Sequence, residues 1–262
     1  MKKILFSDLD NTFLYDYHDA KYSFVEIIDK NSIKKYISED VLNLIDDFRK
    51  QGYIFAINTG RSLVNFNYVK NYIPYDYVIL EHGSIILKEN EFDNIWWNMH
   101  SESLKEFKEC SGKIWELKEI LKKKGCDIHF SNRYASFRIL SINGHNINFS
   151  DENGLIKNIQ IFANEYNTKI VRNGNFLDII PKTAGKEKAA LYLINNLKIN
   201  LENVMAIGDD YSDFELLKVS KKCACPLNST KEIINLVNSK NGFIPLHSGL
   251  RGSIENFTLL TK

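Results

Sequence analysis

Short apolar runs that end in polar or small residues recur along the 262-residue chain and constrain its fold more than any other feature. Their apolar character is nearly continuous, as expected for strands that helices cover on both faces. Helical patterns separate these runs, and this alternation predicts a doubly wound, parallel α/β sheet. The strands are expected near 3–8, 53–58, 77–81, 203–208, 222–226 and 242–245, and the helices near 39–51, 61–71, 186–198, 211–219 and 229–239.

The pattern changes between residues 83 and 181, where strands and helices no longer alternate regularly. This change predicts a separate α+β unit, inserted into a core that residues 1–82 and 182–262 form together. Within the insertion, strands are expected at 84–88, 94–99, 127–130, 134–142, 168–172 and 176–180, and helices at 101–124 and 151–166.

Two carboxylates stand at the exit of the first predicted strand, because Asp8 and Asp10 follow Ile4-Leu5-Phe6. In an open α/β sheet, ligands bind beyond the carboxyl ends of the strands. Asp8 is therefore expected at that edge. The placement suggests an aspartate nucleophile beside an acid/base aspartate, although turns and helix caps also use aspartates.

Three further segments place reactive groups at similar positions. Thr59 and Gly60 follow a strand and offer a hydroxyl and backbone N–H groups to a phosphoryl oxygen. Asp209 and Asp213 follow another strand and supply the oxygen ligands that a hard cation such as magnesium prefers. Lys186 opens a predicted helix and places an ammonium where these loops converge.

Together these segments resemble the four motifs of the haloacid dehalogenase superfamily. The stretch from Asp8 to Thr12 looks like the first motif, Thr59-Gly60-Arg61 the second, Lys186 the third and residues 208–213 the fourth. The pattern is most like that of Cof-type, type IIB sugar phosphatases. The resemblance implies a Rossmann-like core and, between the second and third motifs, an inserted α+β cap domain.

The resemblance also implies roles for the two aspartates of the first motif. Asp8 would attack phosphorus and form an aspartyl-phosphate, which splits one displacement into two easier ones. Asp10 would protonate the leaving alcohol and then activate water. We expect adjacent acidic groups to raise the pKa of Asp10.

A magnesium ion and a phosphate site follow from the same resemblance. The ion would be held by the carboxylate of Asp8, the backbone carbonyl of Asp10, Asp209 and Asp213, the last directly or through water. The phosphoryl oxygens would be bound by Thr59, Gly60 and Lys186.

Substrate selection is expected to lie in the inserted unit. The candidates are Arg133, Arg138, Arg172 and Asn173, for which solvated strand positions are the alternative. Arg61 could bind substrate or form a structural ion pair.

Three other features have open interpretations. Residues 15–37 lengthen the first connection and could form a hairpin-like flap beside the nucleophile or a surface loop. His82 lies where the third core strand enters the insertion, and we favour a hinge hydrogen bond over a place in the pocket. Trp96 and Trp97 are adjacent on a predicted strand and would point to opposite faces, so at least one is expected in the core.

Composition excludes several classes of partner. The 34 basic and 33 acidic side chains nearly cancel, so no overall field favours nucleic acid or an anionic membrane. No apolar run approaches the roughly 18 residues of a membrane helix, and the N-terminus lacks a signal-peptide core, so the cytoplasm is expected. The four cysteines lack metal-site spacing and are expected to be small buried hydrophobes.

These observations predict a magnesium-dependent phosphomonoesterase that acts on a small phosphorylated metabolite, with a sugar phosphate favoured. Two alternatives stay open. A phosphosugar mutase of the same superfamily would use the same aspartates, whereas a non-catalytic phosphosugar-binding regulator would not need Asp10. The sequence leaves the oligomeric state open.

Overall fold

The computed structural model describes residues 2–19, 21–28, 32–150 and 154–261. Its strands, in chain order, are β1 (Ile4–Ser7), β2 (Phe24–Ile28), β3 (Lys34–Ser38), β4 (Ile54–Asn58), β5 (Tyr77–Leu80), β6 (Ile85–Lys88), β7 (Glu91–Phe92), β8 (Cys126–His129), β9 (Phe137–Ile142), β10 (Thr168–Asn173), β11 (Phe176–Pro181), β12 (Val204–Ile207) and β13 (Lys222–Ala224). Its α-helices are α1 (Glu39–Lys50), α2 (Leu63–Phe66), α3 (Asn94–Asn98), α4 (Lys113–Lys123), α5 (Leu155–Glu165), α6 (Lys186–Asn196), α7 (Phe214–Val219), α8 (Lys231–Ser239) and α9 (Gly249–Thr261).

The large sheet has seven strands in the order β13-β12-β1-β4-β5-β6-β7. The first five are parallel, and β6 and β7 are antiparallel additions at one edge. Alternate residues of β1 enter two different apolar clusters: Leu5 packs with α1 and α9, whereas Ile4 and Phe6 pack with α6, α7 and α8. Both faces are therefore covered, which confirms the predicted doubly wound arrangement.

The turn between β5 and β6 corrects one prediction. The strand expected at 84–88 in the inserted unit belongs to the large sheet, where Ile85 pairs with Leu80. The reversal is tight because Glu81, His82 and Gly83 all have positive φ, at 48°, 55° and 92°. Glycine is required at the third position, since a Cβ there would lie 2.2 Å from the carbonyl oxygen of Gly185.

The segment expected as a strand at 94–99 is the short helix α3. Its first turn is capped by the Asp93 side chain, which accepts a hydrogen bond from the backbone N–H of Trp96 at 2.8 Å. Both tryptophans are buried, so the prediction that at least one lies in the core is confirmed. The indole N–H of Trp96 donates to the carbonyl of Gly83, and that of Trp97 donates to the carbonyl of Lys105.

A four-stranded antiparallel sheet in the order β10-β11-β9-β8, with α4 and α5, forms what we call the cap unit. Its strands confirm the predicted pattern after residue 126. The helix expected at 101–124 is wrong in its first half, because only α4 is helical and it starts after Gly112, which has a φ of 107°. The helix expected at 151–166 is α5, and residues 151–153 lie outside the described residues.

Other elements differ from expectation in extent. The helix expected at 61–71 is reduced to α2 and a 3-10 turn at Lys70–Tyr72. The strand expected at 242–245 is a single bridge from Phe243 to Ala224. Residues 15–37 contain β2 and most of β3, which pair antiparallel as a hairpin would require, and a flap beside the nucleophile stays a prediction. Helix α9 has no counterpart in the predicted pattern.

None of the helices within the described ranges combines the length and apolar character needed to cross a membrane.

Candidate active site

A cavity of about 320 Å³ opens beyond the carboxyl ends of β1, β4 and β12. The in-register pairing of Ser7 with Ile57 and with Ile207 brings the residues that follow these strands to one edge. Two walls can be distinguished. We call the large-sheet side the floor, and it includes Asp8, Asp10, Thr59, Gly60, Arg61, Lys186, Asp209 and Asp210. We call the other wall the roof, and it consists of Arg133, Arg138 and Asn173 of the cap unit together with His82 of the turn between β5 and β6.

Lys186 is the charged centre of the floor. Its Nζ lies 2.7 Å from Asp213 Oδ1 and 3.0 Å from Asp8 Oδ1, and all three side chains are largely buried. The start of α6 is held in place because the side-chain amide of Asn58 donates to the carbonyl of Lys186 at 3.0 Å. Burial lowers the pKa of Lys186, yet the two carboxylates outweigh it and the net shift is upward. The ammonium therefore stays charged beside Asp8.

Asp8, Asp209 and Asp213 form a cluster in which one oxygen from each lies within 4.8 Å of the others. Burial and the neighbouring Asp8 and Asp213 carboxylates raise the pKa of Asp209 well above its usual range. Burial also raises the pKa of Asp213, to about 7, although Lys186 opposes this shift. The three oxygens match the donor set of a hard cation, and a bound cation would relieve their mutual repulsion.

The loop after β12 is shaped to present these acids. A Cβ at Gly208 would lie 2.4 Å from the Cβ of Asp213, so only glycine allows Asp213 to approach this closely. Asp210 and Asp213 form a reciprocal capping box at the turn that precedes α7. The hydroxyl of Thr12 donates to Asp209 Oδ1 at 3.4 Å.

Asp10 is held by Arg61 in a bidentate pair. Arg61 Nε donates to Asp10 Oδ2 and Nη2 donates to Oδ1, both at 2.6 Å. Burial raises the pKa of Asp10, but the hydrogen bonds and charge of Arg61 outweigh it and the net shift is downward. The expectation that adjacent acids raise this pKa is therefore wrong. Arg61 was expected either to bind substrate or to form an ion pair, and the structure shows an ion pair that lies inside the cavity.

The loop after β4 places Thr59, Gly60 and Arg61 along the floor. The Thr59 Oγ1 accepts a hydrogen bond from the backbone N–H of Arg61 at 3.2 Å, which leaves its O–H free to donate into the cavity. Gly60 packs against the ring of His82, because a Cβ there would lie 2.4 Å from Cε1 of the imidazole. His82 is thus both part of the hinge turn and a pocket residue, in contrast to the expectation of a hinge role alone.

Asp178 is the charged centre of the roof. Its fully buried carboxylate accepts from Arg138 Nε at 2.7 Å and from Arg138 Nη2 at 2.6 Å, and it lies 2.7 Å from His82 Nε2. The amide of Asn173 donates to it at 3.2 Å. Burial raises the pKa of Asp178, but Arg133, Arg138 and His82 together bring it well below its usual range. This carboxylate therefore fixes most of the roof.

Glu81 fixes the remaining part of the roof. Its buried carboxylate accepts hydrogen bonds from the backbone N–H groups of Tyr134 and Ala135 at 2.9 and 3.0 Å and from the Ser136 hydroxyl at 2.7 Å. These contacts hold the loop between β8 and β9. The same loop carries Arg133, whose Nη1 donates to the Ser136 hydroxyl at 2.9 Å.

The structure places three of the four predicted insertion residues at the cavity, namely Arg133, Arg138 and Asn173. Arg172 does not line it. Its guanidinium lies between the rings of Phe149 and Tyr211, 4.0 and 3.9 Å from their centroids. The reason is strand geometry, because adjacent residues of β10 point to opposite faces.

Sequence reasoning missed several residues that shape the site. No neighbouring sequence pattern indicates a role for Asp178 or Glu81, because each binds partners that are distant in sequence. Lys35 and Tyr68 also line the cavity, and Lys35 forms an ion pair with Asp16. Of the four free cysteines, three are buried as expected, but Cys110 is exposed.

The sequence matches the haloacid dehalogenase-like hydrolase family over residues 5–132 and again over residues 113–239. It is 25% identical over 209 residues, 79% of each chain, to a phosphoglycolate phosphatase from Picrophilus torridus. The fold is similar to that of the sucrose-phosphatase from Synechocystis sp. PCC6803, solved with sucrose and phosphate, with a TM-score of 0.66, 16% identity, and coverage of 99% of this chain and 98% of the other.

A subclass IIB sugar phosphatase of the haloacid dehalogenase superfamily also shares the fold, with a TM-score of 0.61, 14% identity and 93% of each chain covered. The family match spans more than half of the chain, and the seven-stranded sheet, the cap unit and the cavity between them agree with it. The large sheet and the cap unit are similar in fold to this subclass IIB sugar phosphatase. The chain therefore belongs to the haloacid dehalogenase-like hydrolases, with a Rossmann-like core.

Proposed function

We propose that this hydrolase is a magnesium-dependent phosphatase that cleaves a small phosphorylated metabolite of the sugar-phosphate class through an aspartyl-phosphate. The observation that carries the proposal is the arrangement of Asp8, Lys186, Asp209 and Asp213 on the floor of one cavity. A buried carboxylate beside a buried ammonium is poised to act as a nucleophile whose charge is balanced. Relatives named as a phosphoglycolate phosphatase and a sugar phosphatase agree with this reaction class.

Asp8 is the proposed nucleophile. It attacks phosphorus in line with the leaving oxygen, forms an acyl phosphate and releases the alcohol. Lys186 orients the attacking carboxylate and neutralises charge on the equatorial oxygens, and Thr59 with Gly60 binds the same oxygens. Preorganised donors of this type typically contribute a factor of about 100 or more each to the rate.

Asp10 is the proposed proton carrier. In the structure it is paired with Arg61 and has a lowered pKa, which favours the carboxylate that activates water in the second step. Protonating the leaving oxygen in the first step requires the pair with Arg61 to open. Arg61 thus controls which form of Asp10 is present.

The acidic cluster fits a magnesium ion. Asp8, Asp209 and Asp213 would hold it, together with the backbone carbonyl of Asp10. When bound, the ion supplies positive charge that screens the nucleophile from the phosphate and stabilises the transition state.

The cap unit is proposed to cover the substrate and select its leaving group. Strands β6 and β7 stay with the large sheet, so the inserted part of the chain starts after residue 92 in this proposal, ten residues later than the pattern at 83 suggests. The roof residues then meet the leaving group, while the floor binds the phosphoryl group.

A phosphate-release screen tests the proposal. Sugar phosphates, nucleotides and phosphorylated cofactors are each incubated with the protein, with and without magnesium, and Asp8→Asn serves as the control for contaminants. We expect magnesium-dependent release that this variant abolishes. Release from no substrate, or equal release by Asp8→Asn, contradicts the proposal.

Product analysis separates the two alternatives. A mutase would form an isomeric sugar phosphate without releasing phosphate. A binding protein would be indifferent to Asp10→Asn, whereas the proposed enzyme should lose turnover and still bind substrate, as measured by calorimetry.

A further inference from the structure

The floor and the roof of the cavity differ in charge. All four carboxylates that line the cavity, those of Asp8, Asp10, Asp209 and Asp210, belong to the floor. Among the described residues, the roof lines the cavity with two guanidinium groups, an imidazole and an amide, whereas its carboxylates, Asp178 and Glu81, do not line it. Sugar hydroxyls are usually bound by donors and acceptors together, because each hydroxyl is both. A roof that presents donors, one of them a cation without a carboxylate partner, is better matched to an anionic acceptor.

Arg133 is the cavity cation that lacks a carboxylate partner. Arg61 is paired with Asp10 and Arg138 with Asp178. The two lysines are paired as well, Lys186 with Asp8 and Asp213 and Lys35 with Asp16. Within the part of the chain that the structure describes, the one side-chain partner of the Arg133 guanidinium is the neutral hydroxyl of Ser136.

Arg133 keeps two further donor groups, Nε and Nη2, for which the described residues supply no hydrogen-bond partner. The residue is only 7% exposed and borders the cavity. Among the described residues, no nitrogen of Arg133 is both fully buried and without a hydrogen-bond partner. Nε and Nη2 therefore retain some exposure. An arginine presents these two groups as a planar fork that matches a carboxylate.

Nearby carboxylates do not occupy that fork. Glu81 is already satisfied by Tyr134, Ala135 and Ser136, and Asp178 by Arg138 with its other partners. Burial raises the pKa of Glu81 against the opposing charge of Arg133, and the same charge helps to lower the pKa of Asp178. Neither carboxylate forms an ion pair with Arg133 in the described structure. Instead, the contacts of Glu81 rigidify the loop that presents Arg133.

We propose that Arg133 binds a carboxylate on the leaving group, so that the preferred substrates are phosphate esters of hydroxy acids or sugar acids. The proposal rests on the proposed phosphatase function and changes its substrate class from phosphates of neutral sugars to phosphate esters whose leaving group carries a carboxylate. Floor and roof then share the substrate, with its phosphoryl group at Asp8 and Lys186 and its carboxylate at the Arg133 fork.

Matched substrate pairs that differ in one carboxylate test this proposal. The pairs are the phosphates of glycolate and ethylene glycol, the 3-phosphates of glycerate and glycerol, and the 6-phosphates of gluconate and sorbitol. The measured quantity is the ratio of kcat/KM for the acid to kcat/KM for its neutral partner. In at least one pair we expect a ratio of about 10 to 100, the range of a charge-assisted hydrogen bond that the neutral partner cannot form.

Arg133→Gln should bring this ratio close to one, and Arg251→Gln, a surface arginine on α9, should leave it unchanged. Because both substrates are measured on one preparation, the ratio does not depend on how much of the variant folds. If Arg133→Gln yields no folded protein, Arg133→Lys replaces it, and the loss of the planar fork should lower the ratio several-fold.

The outcomes are distinct. Ratios near one in the wild-type protein, or a preference for acids that the Arg133 variants leave intact, overturn the role of Arg133 while the phosphatase function stands. Release of phosphate from neither member of any pair, in a protein that also fails the general screen, overturns the proposed function itself.

Discussion

The floor and the roof of the cavity are each organised around one buried charge, and the two charges have opposite sign. On the floor, Lys186 is a cation between Asp8 and Asp213. On the roof, Asp178 is an anion that gathers Arg138 and His82. Under the proposed function, the floor would bind the phosphoryl group and the roof would distinguish leaving groups. The opposite charges also predict that the two centres fail differently when removed.

Removal of the floor cation should have the largest effect. In Lys186→Met, Asp8 and Asp213 lose their shared partner, so we expect the free energy of unfolding to fall by about 3–5 kcal/mol and turnover to fall by roughly 100-fold or more. Urea unfolding and phosphate release measure the two losses. Lys188→Met is the matched control, because Lys188 is an exposed lysine on the same helix. A folded Lys186→Met protein with near-normal turnover would remove Lys186 from the mechanism.

Removal of the roof anion should damage stability more than chemistry. Asp178→Asn leaves Arg138 without its bidentate partner, and we expect a loss of about 3 kcal/mol in unfolding free energy. Hydrolysis of p-nitrophenyl phosphate, which makes little use of the roof, should decrease by less than about tenfold. A larger loss of turnover than in Lys186→Met would reverse the assignment of the two walls.

The buried side chain of His100 predicts how the stability of the protein depends on pH. It is fully buried, and its Nδ1 lies 2.7 Å from the Thr183 hydroxyl, where the chain returns to the large sheet. Burial lowers its pKa to about 4. Between that value and the ordinary pKa near 6.5, the unfolded state binds more protons at His100 than the folded state does. The contribution of His100 to stability is therefore intact above pH 6.5 and is lost as the pH falls toward 4.

The expected size of this effect is about 2 kcal/mol between pH 7 and pH 5. Urea unfolding of the wild-type protein and of His100→Gln at both pH values measures it, and the variant should show a smaller decrease. Equal decreases in the two proteins would show that His100 is not the acid-sensitive group.

The smallest effect is expected for Arg172. Because its guanidinium stacks on Phe149 and Tyr211 outside the cavity, Arg172→Gln should change kcat/KM by less than about threefold. Steady-state kinetics with the best substrate of the screen measures this change. A loss as large as that expected for Arg133→Gln would mean that the roof extends to this face of β10.

The two walls also differ in how far sequence predicts them. Every floor residue follows a strand end or opens a helix, so Asp8, Thr59, Lys186 and Asp209 could be recognised from local pattern alone. Parallel register then brings them together without further information. The parallel, doubly wound character of the central sheet was predictable for the same reason.

The roof could not be read in this way. Arg138 and Asp178 lie on different strands, and only the register of β9 and β11 makes them opposite neighbours. Trp96 and Trp97 have the composition of a strand, but the cap from Asp93 makes a short helix instead. Three successive residues with positive φ, 81–83, reverse the chain so that β6 pairs along the large sheet. Of these three residue types, only the glycine at position 83 predicts such a turn.

The central claim is that Asp8 carries the phosphoryl group during turnover. The protein is quenched in acid during hydrolysis and then treated with borohydride, which reduces an aspartyl-phosphate to homoserine. Peptide mass spectrometry then locates the homoserine in the sequence. We predict homoserine at residue 8, dependent on substrate and absent in Asp8→Asn. Its appearance at another aspartate, or its absence during measured turnover under conditions that trap acyl phosphates, would contradict the account.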